Sequence, residues 1–371
     1  MDLCESVFKY EERAVYELRS LYRRYGYLPY KMSKFEEYDL YVRNKDFLIS
    51  DNIITFTDTD GKLMALKPDV TLSIIKNTGD TAGGVHKVCY DENVYRITKG
   101  AGGFRELMQV GLECIGDIDS YGIYEVLMLA AESLSRISEE YVLDISHLGI
   151  LSEIIDASGV SESTKGELLK KIGEKNMHEI DALCNAEGCD PSAIKKLVSL
   201  YGAPSEVLPE IKGMLTGDSG DEFNEFESIL MLLCKNGYKD NIRIDFSVVN
   251  DMNYYNGVVF KGFVRGIASG VLSGGQYDKL MQKMGRSACA IGFAVYMDML
   301  ERFNTGADEY DVDAMLLYDD GCDINALSDA VKLFSAGGKS VMVQKVIPDK
   351  IKYKQLLKIN ERGVEILENN E

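Results

Sequence analysis

The spacing of apolar residues in the N-terminal part predicts a helix, a hairpin and a second helix. Between residues 6 and 25 apolar side chains recur every three or four positions, which predicts an amphipathic helix. Two alternating apolar runs flank residues 58–61, "DTDG", and this arrangement is typical of a β-hairpin. Residues 70–77 predict a short helix, with Asp69 near its N-terminus, where a carboxylate is favourable.

The segment 87–116 alternates with a period of two on both sides of a glycine-rich loop, "KGAGG". It predicts a strand, a loop and a second strand. In the second strand one face is apolar, and the other carries a cation, an amide, a glycine and a carboxylate: Arg105, Gln109, Gly111 and Glu113. A solvated sheet surface and a ligand-binding surface both produce this pattern, so the alternation alone leaves the two interpretations open.

The middle of the chain changes character twice. A helix is predicted for about 120–139 and a strand for "YVLDISHLG". Residues from about 155 to 238 are charged and poor in strand formers, which predicts a helical insertion. Strands are expected again in "NIRIDFSVV", "YYNGVVFKGFV" and "GIASGVLSGGQYDKL", and an apolar helix in "ACAIGFAVYMDMLERF" ends a first domain at residue 303.

The C-terminal part predicts a second, smaller domain. Residues 304–310 have the composition of a linker, and residues 310–371 alternate between strand and helix patterns. Strands are expected in "VDAMLLYDD", "KSVMVQKV" and "VEILEN", and helices in "ALSDAVKLFSAGG" and "DKIKYKQLLKINERG". This order is typical of a small α/β unit.

Composition and charge narrow the classes of function. The 371 residues carry a formal net charge of −19, which repels phosphate backbones and disfavours tRNA or DNA as the main partner. No apolar run reaches the length of a membrane span, and the first residues lack the pattern of a secretory signal, so we expect a cytoplasmic protein. Eight scattered cysteines and three separated histidines predict reduced thiols, with no metal site and no cofactor.

Five segments in this order resemble the catalytic core of histidyl-tRNA synthetase. They are "LKPDVT" (66–71), "VYRITKGAGGFRELMQVGLECIG" (94–116), "NYYNGVVF" (253–260), "SGGQYDKL" (273–280) and "AIGFAVYMDML" (290–300). The resemblance implies an α+β fold: a class II aminoacyl-tRNA synthetase-like antiparallel sheet with flanking helices, over residues 1–303. It also implies that residues 310–371 are a truncated relative of the anticodon-binding domain, retained for packing or assembly.

The same resemblance implies a histidine-binding site. Acidic and polar side chains of the family hold the ammonium group of histidine, and paired tyrosines face its imidazole, which fits the hydrogen-bonding needs of both groups. The candidate histidine-binding residues in this sequence are Asp69, Thr71, Arg96, Arg105, Gln109, Glu113, Tyr254 and Tyr255.

Three departures from the synthetase motifs indicate that amino-acid activation is lost. Thr98 replaces a glutamate that follows Arg96 by two residues, Asn250 replaces a catalytic arginine before the tyrosines, and Met299 replaces an arginine that holds the ATP phosphates. Each lost cation costs roughly 3 to 4 kcal/mol of transition-state stabilisation. We therefore expect no catalytic residues in this chain.

The departures are shared with the ATP phosphoribosyltransferase regulatory subunits, which "KPDVT" and "YYNGVVFKGF" also resemble. That resemblance implies a non-catalytic chain that activates the short-form ATP phosphoribosyltransferase catalytic subunit and mediates histidine feedback. It implies a homodimer within a hetero-oligomer, with L-histidine as ligand. Two alternatives stay open: a divergent but active histidyl-tRNA synthetase, and a synthetase-like paralogue with another role.

Overall fold

The structure is a computed structural model that describes residues 9–44, 53–79, 83–97, 103–215, 220–249, 254–303 and 310–370. The chain forms two compact units, Met1–Arg302 and Phe303–Glu371. Each unit has its own sheet and its own buried cluster of apolar side chains. No helix of the described ranges is both long and apolar enough to cross a bilayer.

The first unit is built on a nine-stranded sheet. A separate three-stranded sheet lies in the same unit. The strands of the two sheets are β1 (Leu28–Pro29), β2 (Phe35–Glu37), β3 (Thr55–Thr57), β4 (Leu63–Leu66), β5 (Val85–Ile97), β6 (Phe104–Gly116), β7 (Tyr141–His147), β8 (Tyr201–Gly202), β9 (Ile242–Asp245), β10 (Val258–Val264), β11 (Leu272–Gln276) and β12 (Cys289–Tyr296). The large sheet has the order β1-β5-β6-β12-β11-β10-β7-β9-β8, and β2-β4-β3 form the small one. All pairs in the large sheet are antiparallel except β1–β5 and β7–β9.

The helices of the first unit flank this sheet and fill the insertion. They are α1 (Tyr10–Arg24), α2 (Tyr38–Arg43), α3 (Thr71–Asn77), α4 (Ser120–Ile137), α5 (Leu148–Ala157), α6 (Glu162–Gly173), α7 (Met177–Glu187), α8 (Ser192–Ser199), α9 (Pro204–Lys212), α10 (Gly220–Leu233) and α11 (Asp278–Lys283), with a π-helical turn at Cys234–Tyr238 and a 3₁₀ helix at Met297–Phe303.

Helices α1 and α4 cover one face of the large sheet. Tyr22 of α1 is fully buried, shares a hydrogen bond of 3.0 Å with Ser133 of α4, and meets the Phe293 ring of β12 edge-on at 5.9 Å. Phe293 and Phe260 of β10 are also in contact on this face. Because side chains alternate along a strand, the neighbouring residues of β6 and β12 point to the opposite face, where the candidate site lies.

Several predicted elements are confirmed. The hairpin around "DTDG" is formed by β3 and β4, with Thr57 opposite Leu63. The strand–loop–strand segment becomes β5 and β6, paired from Val85 opposite Gly116 to Ile97 opposite Phe104. The first helix is present as α1, and the part of its prediction before residue 9 lies outside the described residues.

One helix predicted in the first unit is wrong. The apolar run "ACAIGFAVYMDMLERF" forms strand β12 followed by a short 3₁₀ helix, instead of one helix. Strand β12 lies between β6 and β11 in the middle of the sheet, and a strand buried on both faces has the continuous apolar sequence of a buried helix. The insertion predicted to be helical does contain helices α6 to α10, and it also contributes the two-residue strand β8, which pairs with β9 at the edge of the sheet.

Over residues 310–370, the part of the second unit that the structure describes, a four-stranded sheet carries one α-helix. Its elements are β13 (Val312–Leu317), α12 (Ile324–Ala336), β14 (Val341–Gln344), β15 (Tyr353–Asn360) and β16 (Gly363–Asn369), and the sheet order is β14-β13-β15-β16. Leu316 and Leu357 of the sheet pack with Phe334 of α12 in its apolar cluster.

The helix predicted for "DKIKYKQLLKINERG" is wrong, because β15 occupies this segment. Strand β15 pairs parallel with β13 and antiparallel with β16. The turn that joins β15 to β16 is specified by Asn360, whose side chain accepts a 2.8 Å hydrogen bond from the Arg362 N–H, and by Gly363, whose φ of 113° favours glycine. The sequence interpretation missed this turn.

Candidate functional site

Glu113 of β6 is the centre of the polar cluster on the second face of the large sheet. Its side chain is buried, with 2% of the residue exposed. Oε1 accepts a hydrogen bond of 2.8 Å from the Thr71 hydroxyl, and Oε2 accepts one of 2.7 Å from the Tyr277 hydroxyl. The carboxylate is therefore oriented by two hydroxyl groups that come from α3 and from the start of α11.

Burial raises the pKa of Glu113 to about 8. The hydrogen bonds from Tyr277 and Thr71 lower this pKa, and the charge of Asp69 raises it. At neutral pH the ligand-free site therefore holds Glu113 mostly in its protonated form. A cationic group placed against this carboxyl favours ionisation, so cation binding and proton release are coupled.

Glycine residues create the space that this cluster occupies. Gly292 of β12 lies directly opposite Glu113, and a Cβ at this position would overlap Glu113 Oε2. Gly275 of β11 lies opposite Gly292, and a Cβ there would stand 2.7 Å from the Tyr255 ring. The two glycines let a carboxylate and an aromatic ring lie flat on the sheet.

Asp69 and Arg96 form a charged pair at the site. Asp69 precedes α3, and its Oδ1 accepts a hydrogen bond of 2.9 Å from the Leu72 N–H. Arg96 donates from Nε to the Pro68 carbonyl at 2.6 Å, and a second guanidinium nitrogen lies 3.7 Å from Asp69 Oδ2. Burial raises the pKa of Asp69, and the charge of Arg96 opposes this shift.

Tyrosine rings form the aromatic wall. The centroids of Tyr254 and Tyr255 are 4.5 Å apart, and Tyr254 lies 5.7 Å from Tyr277. Burial raises the pKa of Tyr254, Tyr255 and Tyr277, and the charge of Glu113 raises each of them further, so the three hydroxyls stay protonated. The wall offers aromatic surface and hydrogen-bond donors next to the carboxyl groups.

Gln109 lies on the same face of β6 as Glu113, four residues away, and is buried with 4% exposed. Its partner in the register is Tyr296 of β12. Between Gln109 and Glu113 lies Gly111, where a Cβ would stand 2.6 Å from the Tyr90 hydroxyl. Gln109, Gly111 and Glu113 therefore lie on one continuous sheet surface, which we call the floor of the site.

Arg105 lies apart from this cluster. It is exposed near the start of β6, eight residues before Glu113, or roughly 27 Å along an extended strand. It pairs in the register with Arg96, whose side chain instead turns toward Asp69. The structure brings together the other seven predicted site residues and leaves Arg105 at the surface.

Three tyrosines of the cluster were missed by the sequence interpretation: Tyr90, Tyr277 and Tyr296. Tyr277 follows the glycine pair of "SGGQYDKL" by two residues, after Gln276, and a tyrosine after a glycine-rich strand was the available signal. Tyr90 and Tyr296 reach the site only through the pairing of β5 and β12 with β6.

Of the three positions that depart from the synthetase motifs, two lie outside the described residues. They are Thr98 and Asn250. Met299 lies in the 3₁₀ helix after β12, and the Ser269 hydroxyl lies 3.4 Å from its sulfur. Methionine carries no charge, so this position offers no cation, and its side chain is contacted by Ser269 of a neighbouring loop.

The chain is similar in sequence to proteins named ATP phosphoribosyltransferase regulatory subunit. It is 28% identical over 287 residues to an ATP phosphoribosyltransferase regulatory subunit from Alkaliphilus metalliredigens, a match that covers 75% of this chain and 72% of that protein. It is 25% identical over 369 residues to one from Oceanobacillus iheyensis, with 97% and 91% covered.

A solved structure shares the fold over nearly the whole chain. It is that of an ATP phosphoribosyltransferase regulatory subunit/histidyl-tRNA synthetase from Bacillus halodurans, which superposes with a TM-score of 0.74 at 23% identity and covers 96% of each chain. The sheet described above thus has the class II synthetase-like fold expected from the sequence. The family model described as histidyl-tRNA synthetase matches residues 1–300, and the chain belongs to the histidyl-tRNA synthetase family.

Proposed function

We propose that this chain is the regulatory subunit of ATP phosphoribosyltransferase, and that it binds L-histidine in the cluster around Glu113. The observation that carries the proposal is the match to relatives with that name, which extends over as much as 97% of the chain. In this role the chain activates the catalytic subunit in the first step of histidine biosynthesis and transmits inhibition by histidine.

The chemistry of the cluster supports L-histidine as the ligand. The α-ammonium group suits the carboxyl of Asp69 with the hydroxyl of Thr71 and the amide of Gln109, because a cation is best held by anionic and polar acceptors. The imidazole suits Glu113 and the rings of Tyr254 and Tyr255, since it combines a flat apolar body with hydrogen-bonding nitrogens. Arg96 is placed to pair with the α-carboxylate. Arg105, exposed at the start of β6, is not part of this proposed site.

The same cluster suits amino-acid binding better than amino-acid activation. Adenylate formation concentrates negative charge on the α-phosphate, and catalysis there depends on preorganised cations. The sequence has Met299 and Asn250 at two positions where the synthetases place arginine. These residues support a subunit with no catalytic residues of its own.

The proposed partner is the short-form ATP phosphoribosyltransferase catalytic subunit. A homodimer of this chain within a hetero-oligomer, located in the cytoplasm, is the arrangement that the resemblance implies. The net charge of −19 is compatible with a protein partner and disfavours a large tRNA footprint. Residues 310–371 are proposed to serve packing or assembly as a shortened relative of the anticodon-binding domain.

The second candidate function is a divergent histidyl-tRNA synthetase, which the family match over residues 1–300 favours. Histidine-dependent exchange of pyrophosphate into ATP distinguishes the two functions. A regulatory subunit shows no exchange above background, and a synthetase shows exchange that requires L-histidine.

The experiment that tests the proposal measures phosphoribosyl-ATP formation by the short-form catalytic subunit from the same organism. We expect strong activation when this chain is added and suppression of that activation by L-histidine. The Glu113→Ala variant should still activate but should lose the response to histidine.

Glu106→Ala is the matched control, because Glu106 lies on the same strand but is exposed and contacts Asn93 and Tyr95. It should respond to histidine like the unmodified chain. Absence of activation would contradict the regulatory role, and unchanged inhibition of Glu113→Ala would contradict the site.

A further inference from the structure

Tyr296 lies at one end of the cluster around Glu113, on the same face of β12 as Ala294 and Gly292. In the register it faces Gln109 on one side, while Ala294 faces Ser273 of β11 on the other. The Tyr296 side chain is hydrogen-bonded to Ser273. Because Ser273 is level with Ala294, two residues back along β12, the phenol ring must lean across the floor toward the Glu113 end.

The floor between Tyr296 and Glu113 is accessible at its centre. Ala294 and Ser273 are only half-buried although β12 and β11 are central strands of the sheet. On the β6 side the floor is closed, since the Tyr90 hydroxyl covers Gly111. The space for a ligand therefore lies between the Glu113 carboxyl and the Tyr296 ring, whose hydroxyl reaches Ser273.

The two ends differ in charge. At the Glu113 end the groups are a carboxyl and the hydroxyls of Thr71 and Tyr277. At the other end burial raises the pKa of the Tyr296 hydroxyl, the charge of Arg96 lowers it, and the charges of Asp69 and Asp298 raise it, so this end has a cation in addition to carboxylates. An amino acid with its ring toward Glu113 thus directs its carboxylate toward Arg96 and Tyr296.

We propose that the Tyr296 ring is the end wall of this pocket and restricts it to L-histidine with a free, unextended carboxylate. The inference rests on the proposed histidine site. Any group attached to the carboxyl carbon must occupy the place of the phenol ring, so carboxyl-extended derivatives are excluded by overlap. Tyr296 is a specificity-determining residue in this account.

The test compares two ligands that both lack the carboxylate and differ only in length, L-histidinamide and N-benzyl-L-histidinamide. Their dissociation constants are measured by calorimetry for the unmodified chain and for Tyr296→Phe, Tyr296→Leu and Tyr296→Ala. We expect the ratio of benzylamide to amide affinity to rise at least tenfold in Tyr296→Ala, because the benzyl group fills the vacated apolar space. Tyr296→Phe keeps the ring and should keep the ratio of the unmodified chain.

Tyr296→Leu removes the ring but fills more of the space and provides the same comparison if Tyr296→Ala is unstable. The ratio of benzylamide to amide affinity could stay unchanged in both the leucine and alanine variants while L-histidine still binds. That result would contradict the role of Tyr296 as end wall but not the histidine site. Failure of L-histidine to bind the unmodified chain overturns the histidine site itself, and the wall with it.

Discussion

The carboxyl group of Glu113 lies directly over Gly292 of the neighbouring strand, in the space where any other residue would place its Cβ. This relationship fixes the position of the central acidic group of the cluster. A buried carboxyl can be held in the middle of a sheet only if the adjacent strand leaves a gap of this size.

Gly292→Ala should therefore remove histidine binding by displacing Glu113. The added methyl would overlap Glu113 Oε2 and stand 2.5 Å from the Leu112 carbonyl oxygen, so the side chain must leave its hydrogen bonds. We expect at least a tenfold loss of L-histidine affinity and a loss of about 1 to 3 kcal/mol in the free energy of unfolding. Calorimetric titration and chemical denaturation measure the two effects.

Gly166→Ala is the control for this substitution, because Gly166 lies inside α6 with open space around it. It should bind histidine normally and gain about 0.5 to 1 kcal/mol in stability. If Gly292→Ala binds L-histidine as tightly as the unmodified chain, the observed position of Glu113 is not required for histidine binding.

Histidine binding should release a proton from Glu113. The ligand-free pKa of about 8 means that the carboxyl is mostly protonated at pH 7.4, where the imidazole of free histidine is mostly neutral. In the proposed pose a ring N–H of this neutral imidazole donates to Glu113, and a donor is held more strongly by an ionised carboxylate, so histidine binding lowers this pKa and sends most of one proton to the buffer. Binding enthalpies measured in buffers of different ionisation enthalpy give the number of protons released.

Glu113→Gln should remove this buffer dependence, since an amide does not titrate. Proton uptake by the unmodified chain, or the same buffer dependence in Glu113→Gln, would contradict the assignment. Affinity of the unmodified chain for histidine should rise between pH 7 and pH 8, because less work is then needed to ionise the carboxyl.

His147 should make the stability of the first unit depend on pH in the acid range. It precedes α5, where its Nδ1 accepts a hydrogen bond of 3.3 Å from the Ile150 N–H, and burial lowers its pKa to about 4. The ordinary pKa of histidine is about 6.5, so between these values the unfolded chain binds a proton that the folded chain does not. Stability is full above pH 6.5 and is lost as the pH falls to 4, by about 3 kcal/mol at most.

His147→Asn isolates this contribution, because asparagine also accepts a hydrogen bond at the start of a helix but does not titrate between pH 4 and 7. Denaturation at pH 7 and pH 4.5 should show a larger loss for the unmodified chain than for the variant. Equal losses would mean that His147 is charged in the folded chain.

Lys175 should stabilise the contact between the helical insertion and the sheet. Its Nζ donates to the buried carboxylate of Asp245 at 2.9 Å, beside Asp144, whose pKa burial and Asp245 raise to about 6. Lys175→Met leaves the two carboxyl groups without this cation. Since the lysine is 46% exposed, we expect a loss of only about 1 kcal/mol at pH 8, and less at pH 5, where Asp144 is protonated.

Lys171→Met is the matched control for Lys175→Met, because Lys171 pairs with Glu174 at the surface of the same insertion. Its effect on the free energy of unfolding should be smaller and should not depend on pH between 5 and 8. Equal effects of the two substitutions would show that the contact with Asp245 has no special role.

The sequence determined those elements whose signal is local. The "DTDG" turn specified the β3–β4 hairpin, and the alternation in 87–116 specified β5 and β6 with the correct polar face. The order of five motifs led to the family and to Asp69, Thr71, Gln109 and Glu113, which do lie together.

Only the tertiary structure decided the remaining features. The apolar run of β12 forms a strand because it is buried between β6 and β11, and periodicity cannot distinguish such a strand from a buried helix. Tyr90, Gly292 and Tyr296 belong to the site because of strand register, and Arg105 is left outside it although it shares a face with Glu113. Register joins residues far apart in the chain through hydrogen bonds between strands, so a single strand contains no signal for which residue will lie opposite.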